Sequence, residues 1–160
     1  MTKTFLVLLI SLLWLFNIKA QTKKINFKNR LYTIAGNAGI GTFSNGSLSY
    51  GADIEASTPY VKDVKLTGSA GFQSFLYRST AVKYWSHYIP LLIGVKGNLD
   101  PELYLQGQLG YAVPINHSGS FAYALGVGYI FKKNVDVGLR LLNVKRFNHS
   151  TLGIRVARKL

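Results

Sequence analysis

The sequence predicts an all-β fold, an eight-stranded antiparallel transmembrane β-barrel with periplasmic termini. Three observations carry this expectation. Apolar and small or polar residues alternate with period two through most of the chain after residue 30, broken by turn residues. Only 16% of residues are charged, while Gly (16), Tyr (10) and Phe (9) are plentiful, a poor composition for a surface that must face water. The third is the segment SGSFAYALGVGYIFKKNVDVGLRLL, residues 118–142. It sets large Phe121, Tyr123, Leu125, Val127, Tyr129 and Phe131 against small Ala122, Ala124, Gly126 and Gly128.

The chain begins with a secretory signal pattern. Lys3 supplies the basic start, FLVLLISLLWLF (5–16) the apolar core, and Ala20 a cut site before Gln21. That apolar run is shorter than the roughly 20 residues of a spanning helix. The expected organisation is a signal peptide over 1–20 and one barrel domain over 21–160. Losing Lys3 and Lys19 would lower the net charge from +13 to +11. The absence of cysteine excludes disulfides, thiolate metal sites and lipid attachment at cysteine.

Eight strands follow, over 31–43, 47–57, 64–77, 87–97, 102–113, 120–131, 135–144 and 151–160. The breaks between them carry turn residues: SNG (44–46), STPY (57–60), GNLDPE (97–102), PINHSG (114–119) and KKN (132–134). The second strand opposes Leu48, Tyr50, Ala52 and Ile54 to Ser49, Gly51, Asp53 and Glu55. The fifth opposes Leu103, Leu105 and Leu109 to Tyr104, Gln106 and Gln108. The seventh opposes Val135, Val137, Leu139 and Leu141 to Asp136, Gly138 and Arg140. The eighth opposes Leu152, Ile154 and Val156 to Gly153, Arg155 and Ala157. The first, third and fourth are less regular, with Phe75, Tyr77 and Leu92 on the polar side.

Alternation alone fits a soluble barrel with the apolar face inward or a membrane barrel with it outward. The sixth strand separates the two. A water-facing row of Ala122, Ala124, Gly126 and Gly128 would offer almost no solubilising group. A narrow interior needs such small residues, and the large ones then meet lipid. Aromatics are expected at both rims, Phe43, Tyr84, Trp85, Tyr88 and Phe121 at one, Tyr32, Tyr104, Tyr129 and Phe131 at the other. An even strand number places both termini at one end, expected to be periplasmic, with 44–46, 78–86, 114–119 and 145–150 facing outward.

The segments HYIPLLIGVKGNL (87–99), LYLQGQLGYAV (103–113), FAYALGVGYIF (121–131), VDVGLRLL (135–142) and LGIRVARKL (152–160) resemble the outer-membrane β-barrel domain family of Gram-negative bacteria, in its small OmpX-like, porin-like form. The resemblance spans residues 30–160. It implies outer-membrane location and barrel architecture, not an activity. It also implies handling by the barrel-assembly machinery, which commonly reads a terminal aromatic residue, whereas this chain ends in Leu160.

Catalytic signals are sparse. His87, His117 and His149 fall in or beside expected outward segments, each next to a serine (Ser86, Ser118, Ser150). No carboxylate accompanies them there, as a nucleophile–base–acid arrangement would require. Adjacent strand residues also point to opposite faces. The histidines lack short-range ligand spacing for a metal. GNAGIG (36–41) lacks the lysine and helix of a phosphate loop. The basic residues Lys23, Lys24, Lys28, Arg30, Lys132 and Lys133 are read as solvated ends beside anionic lipid head groups. Nucleic-acid binding conflicts with export and with the apolar faces.

The expected site is therefore lumenal: a polar network of Asp53, Glu55, Lys65, Lys96, Asp136, Arg140 and Arg155, with the two arginines as its main cations. Closure of the last strand on the first should bring Arg155 within reach of Asp53 and Glu55. The expectation is a plugged, monomeric barrel with a structural or accessory envelope role. Its surroundings would be outer-membrane lipids and lipopolysaccharide, and no catalytic residue, cofactor or metal is expected. The competing classes are a lipid-modifying enzyme, a small-solute pore and a secreted lipocalin-like ligand-binding barrel.

Overall fold

The computed structural model describes residues 30–42, 48–78, 83–115, 118–131, 134–145 and 149–160. For Tyr77, Arg78, Lys83, Tyr84 and His149 it gives the strand position only. The signal peptide expected over 1–20, Lys23, Lys24, Lys28, Phe43, the SNG turn, His117, Lys132 and Lys133 lie outside the described residues.

Alternation and β-branched or aromatic content give eight strands. They are β1 (Leu31–Gly41), β2 (Leu48–Val61), β3 (Val64–Arg78), β4 (Lys83–Asn98), β5 (Leu103–Pro114), β6 (Ser120–Phe131), β7 (Val135–Val144) and β8 (His149–Lys159). Each pairs antiparallel with the next, and β8 returns to β1 through Ala35↔Ala157 and Asn37↔Arg155. The barrel is closed, so no strand edge is left unpaired.

Most strand ends fall within about two residues of the sequence reading, and two boundaries differ by more. STPY (57–60) is not a turn: β2 continues to Val61, with a register irregularity between Pro59 and Val61. Proline has no N–H for the ladder, and a bulge accommodates it. The turn itself is Lys62–Asp63, with Asp63 at φ 63°, a left-handed conformation that aspartate tolerates. β4 begins at Lys83 rather than at residue 87, so His87 sits inside a strand. The β3–β4 ladder skips from Ala70↔Leu91 to Gln73↔Tyr88, where Pro90 has no N–H to give.

The period-two pattern separates the faces. Every strand sends large apolar residues outward, among them Ile34, Ile54, Phe72, Ile93, Leu109, Leu125, Leu139 and Ile154, all exposed. A wall of this kind belongs in hydrocarbon, and closure satisfies the backbone groups that hydrocarbon cannot. The soluble lipocalin-like alternative requires the opposite arrangement of faces.

Inside there are two layers. Towards the end remote from the termini, Phe75, Tyr88, Leu92, Ala112, Ala122, Ala124, Leu142 and Val144 form one buried apolar cluster. Phe75 and Tyr88 meet edge-on with centroids 5.2 Å apart. The residues that disturbed the alternation of the third and fourth strands, Phe75 and Leu92, are thus part of an apolar stopper. Tyr88 and Tyr104 were expected at the rims. Both are buried in the lumen, because their positions in β4 and β5 carry inward parity. The second layer is ionic.

Candidate functional site

The ionic layer is built from inward positions on β2, β4, β7 and β8. Asp53 and Glu55 are two apart on β2 and therefore share a face. Small residues stand between them and their partners: Ala35 of β1 lies in register with both Asp53 and Ala157. Long side chains from β7 and β8 extend over this low ground.

Arg155 is the hub. Its Nη2 donates to Asp53 Oδ1 at 2.9 Å and lies 3.5 Å from Glu55 Oε2. Its Nη1 lies 3.6 Å from Asp136, too far for a hydrogen bond. Arg140 donates to Asp53 Oδ2 at 2.8 Å and to Gln108 Oε1 at 3.3 Å. Lys96 donates to Glu55 Oε1 at 2.8 Å, and Gln106 donates to Glu55 Oε2 at 2.7 Å. Tyr104 donates to Asp136 at 2.9 Å, and the Lys96 ammonium sits 4.4 Å from the Tyr104 ring centroid, within cation–π range. Three carboxylates thus face three cations, and the layer is neutral. Buried charges are tolerable only when paired and hydrogen-bonded in this way.

Of the seven residues proposed from sequence, six meet in this network. Lys65 does not. It is half-buried beside Lys96 in the β3–β4 register and makes no ion pair among the described residues. Sequence reasoning missed Tyr104, Gln106 and Gln108, which add hydrogen bonds to Asp136, Glu55 and Arg140, while the buried Arg155 Nη1 keeps only its ion-pair distance to Asp136. Their signal was available: all three have inward parity on β5.

The small face of β6 also has a role here. A Cβ on Gly128 would lie 2.5 Å from Tyr104 Cζ, so the bare glycine is where the tyrosine ring rests. The space left beside Tyr104, Gln106, Arg140 and Arg155 is about 10 Å³. A second space, beside Asn37, Gln73, Arg140 and Thr151, is also about 10 Å³. Each has room for about one water at most. With the apolar layer beyond it, the described residues set two packed layers in series across the lumen.

The histidines divide. His117 and the side chain of His149 lie outside the described residues. His87 is not a loop residue. It occupies the outer wall of β4, and its partner is not Ser86, which has inward parity, but Ser74 across the ladder, at 2.8 Å from Nδ1. Ser150 is hydrogen-bonded to Asn143. Among the described residues no group of His, Cys, Asp or Glu could hold a metal ion.

No family model matches the sequence, and no curated protein matches it. Solved structures do match. The Ail attachment invasion locus protein of Yersinia pestis aligns with TM-score 0.59 at 14% identity, over 81% of this chain and 96% of that one. A de novo designed transmembrane β-barrel aligns at 0.58 and 12% identity, over 81% and 95%. This chain has the fold of small eight-stranded transmembrane barrels. The outer-membrane enzyme PagL aligns at 0.50 and 16% identity, over 80% and 98%. The same small barrel therefore appears in an enzyme, in an attachment invasion locus protein and in a de novo designed transmembrane barrel. Function has to be argued from this chain's own residues.

Proposed function

We propose that this chain is an outer-membrane barrel, exported with cleavage of its signal peptide, with a structural or accessory role in the envelope and neither a catalytic step nor a conducting path. One observation carries the reading: an apolar exterior encloses a lumen filled by a neutral ion-pair layer and an apolar layer in series. The first makes lipid its solvent. The second, two packed layers across the lumen among the described residues, argues against a water path for a solute. An even number of strands sets both termini at one end, here assigned to the periplasm. Outer-membrane lipids and lipopolysaccharide are its surroundings, the barrel-assembly machinery inserts it, and it works as a monomer.

An enzyme reading would rest on Ser74 and His87. Ser74 has no exposed surface for a substrate carbonyl to approach, so the hydrogen bond is read as satisfying a polar wall residue. Membrane fractionation with heat-modifiable gel migration tests the location, and planar-bilayer recording tests the plug. The expected result is a heat-modifiable outer-membrane band with no steady conductance. A soluble periplasmic product, or reproducible open channels, would overturn the reading.

A further inference from the structure

The outer wall of β3–β4 carries a polar feature that the plugged-barrel reading does not use. Tyr50, Ser74 and His87 lie in one cross-strand row, at outward positions near the end remote from the termini. Tyr50 and Trp85 meet edge-on at 5.4 Å between centroids. One stands on β2 and the other on β4, so they flank β3 on both sides. Phe72 stacks on the His87 ring at 5.6 Å and 19°. Ile89, two residues further along β4, is exposed. In the other direction the row passes Leu76↔Trp85 and ends at Arg78↔Lys83.

The proton positions follow from satisfaction. The Ser74 hydroxyl has no exposed surface, and its hydrogen-bond partner is His87 Nδ1. A buried hydroxyl proton must be donated, so Ser74 donates and Nδ1 accepts. The neutral ring then carries its hydrogen on Nε2. Nε2 has no partner among the described residues, and the ring is held by Ser74 on one edge and Phe72 on one face. An oriented N–H donor thus sits in an apolar wall at interfacial depth. An ionisable side chain on such a wall is costly unless something pairs with it.

The order along the wall matches one kind of amphiphile. Two cationic residue types stand at the hairpin end, an aromatic pair and an N–H donor come next, and bare hydrocarbon at Phe72 and Ile89 follows. We propose that Ser74, His87, Phe72 and Trp85 form a seat for a phosphate-bearing glycolipid of the outer leaflet. Its acyl chains would lie on Phe72 and Ile89, an ester or hydroxyl oxygen would accept from His87 Nε2, and its phosphate would lie at the level of Arg78 and Lys83. This rests on the outer-membrane reading, which sets that end of the barrel in the outer leaflet.

Trp14 and Trp85 are the two tryptophans of the chain. Trp14 lies in the signal peptide that the proposed reading removes, so Trp85, within the seat, is the sole tryptophan of residues 21–160. The mature chain, residues 21–160, refolded in dodecylmaltoside, is titrated with bis-phosphorylated lipid A, dephosphorylated lipid A, phosphatidylglycerol and inorganic phosphate. A saturable blue shift is expected with bis-phosphorylated lipid A alone. His87→Ala and Ser74→Ala should each weaken it about tenfold, as for one lost hydrogen bond. His87→Gln, whose amide reaches the Nε2 position, should recover most of it, and Leu125→Ala on β6 should change nothing. Equal response to dephosphorylated lipid A, to phosphatidylglycerol or to free phosphate overturns the glycolipid seat. So does unchanged affinity in heat-modifiable, folded His87→Ala. Recovery of deacylated lipid A from the titration overturns it in favour of hydrolysis. A soluble product in fractionation would instead remove the outer-membrane reading, so the two failures are distinguishable.

Discussion

Arg155 and Asp53 are 102 residues apart in sequence, and their side chains meet at 2.9 Å in the lumen. The contact exists only because β8 pairs with β1 and β1 with β2. It therefore reports closure of the barrel. An ion pair made only on closure forbids an open or partly zipped sheet from burying the same charges without their partners.

Removing the arginine should show this. Arg155→Ala leaves Asp53, Glu55 and Asp136 against Lys96 and Arg140 alone, one negative charge uncompensated. The expected loss is about 3–5 kcal/mol, typical of a broken buried pair. Asp53→Ala should be costly by the same reasoning, and the double variant should cost less than the two single losses added. Urea titrations of folding into lipid vesicles measure all three, and strict additivity would dissolve the network.

The outer wall should be sensitive by depth. Leu125 lies mid-strand on β6 and Phe131 at its end. Leu125→Arg should cost about 2–4 kcal/mol and Phe131→Arg about 0–1 kcal/mol, the difference between midplane and interface. The same vesicle titrations apply. Equal costs at both positions would mean that β6 does not cross the membrane in this register.

These faces were legible in the sequence because a strand has a strict period of two: parity alone puts Leu125 outside and Arg155 inside. The eight strands could be read for the same reason. Boundaries failed where turn-type residues were absorbed by local irregularities, as at Pro59. The apolar stopper was visible only as a defect, Phe75 and Leu92 on a nominally polar face, because a barrel interior need not be polar along its whole length. The Ser74–His87 pair was hidden because it depends on register between strands. A sequence shows Ser86 beside His87 and cannot show which residue of β3 lies opposite.

Packing of β6 against Tyr104 gives a sharper test of the lumen. Tyr104 is held by Asp136 and by Lys96, so its ring cannot retreat from a methyl group at residue 128. Gly128→Ala should cost about 1–3 kcal/mol, as for overpacking. In a Tyr104→Ala background the same substitution should cost almost nothing, since its obstacle is gone. Thermal or urea midpoints of the four proteins close the cycle. An equal penalty in both backgrounds would assign the cost to the β6 backbone instead.

The two lumenal layers should seal independently. Phe75 closes the apolar layer against Tyr88, and Arg155 ties the ionic layer across the barrel. Phe75→Ala should lose about 3–5 kcal/mol of stability through the cavity it leaves, yet ions would still meet the ionic layer below. Arg155→Ala loosens that layer but leaves the apolar one intact, and a dry apolar constriction excludes ions without any charge. Neither single variant should conduct in planar bilayers, whereas the double variant should show steady channels. The double variant is the least stable of the set, so its heat-modifiable migration must be checked before recording. Conductance from Arg155→Ala alone would mean that the apolar layer is not a seal. Conductance from Phe75→Ala alone would mean that the ion pairs, although formed, leave a path between them.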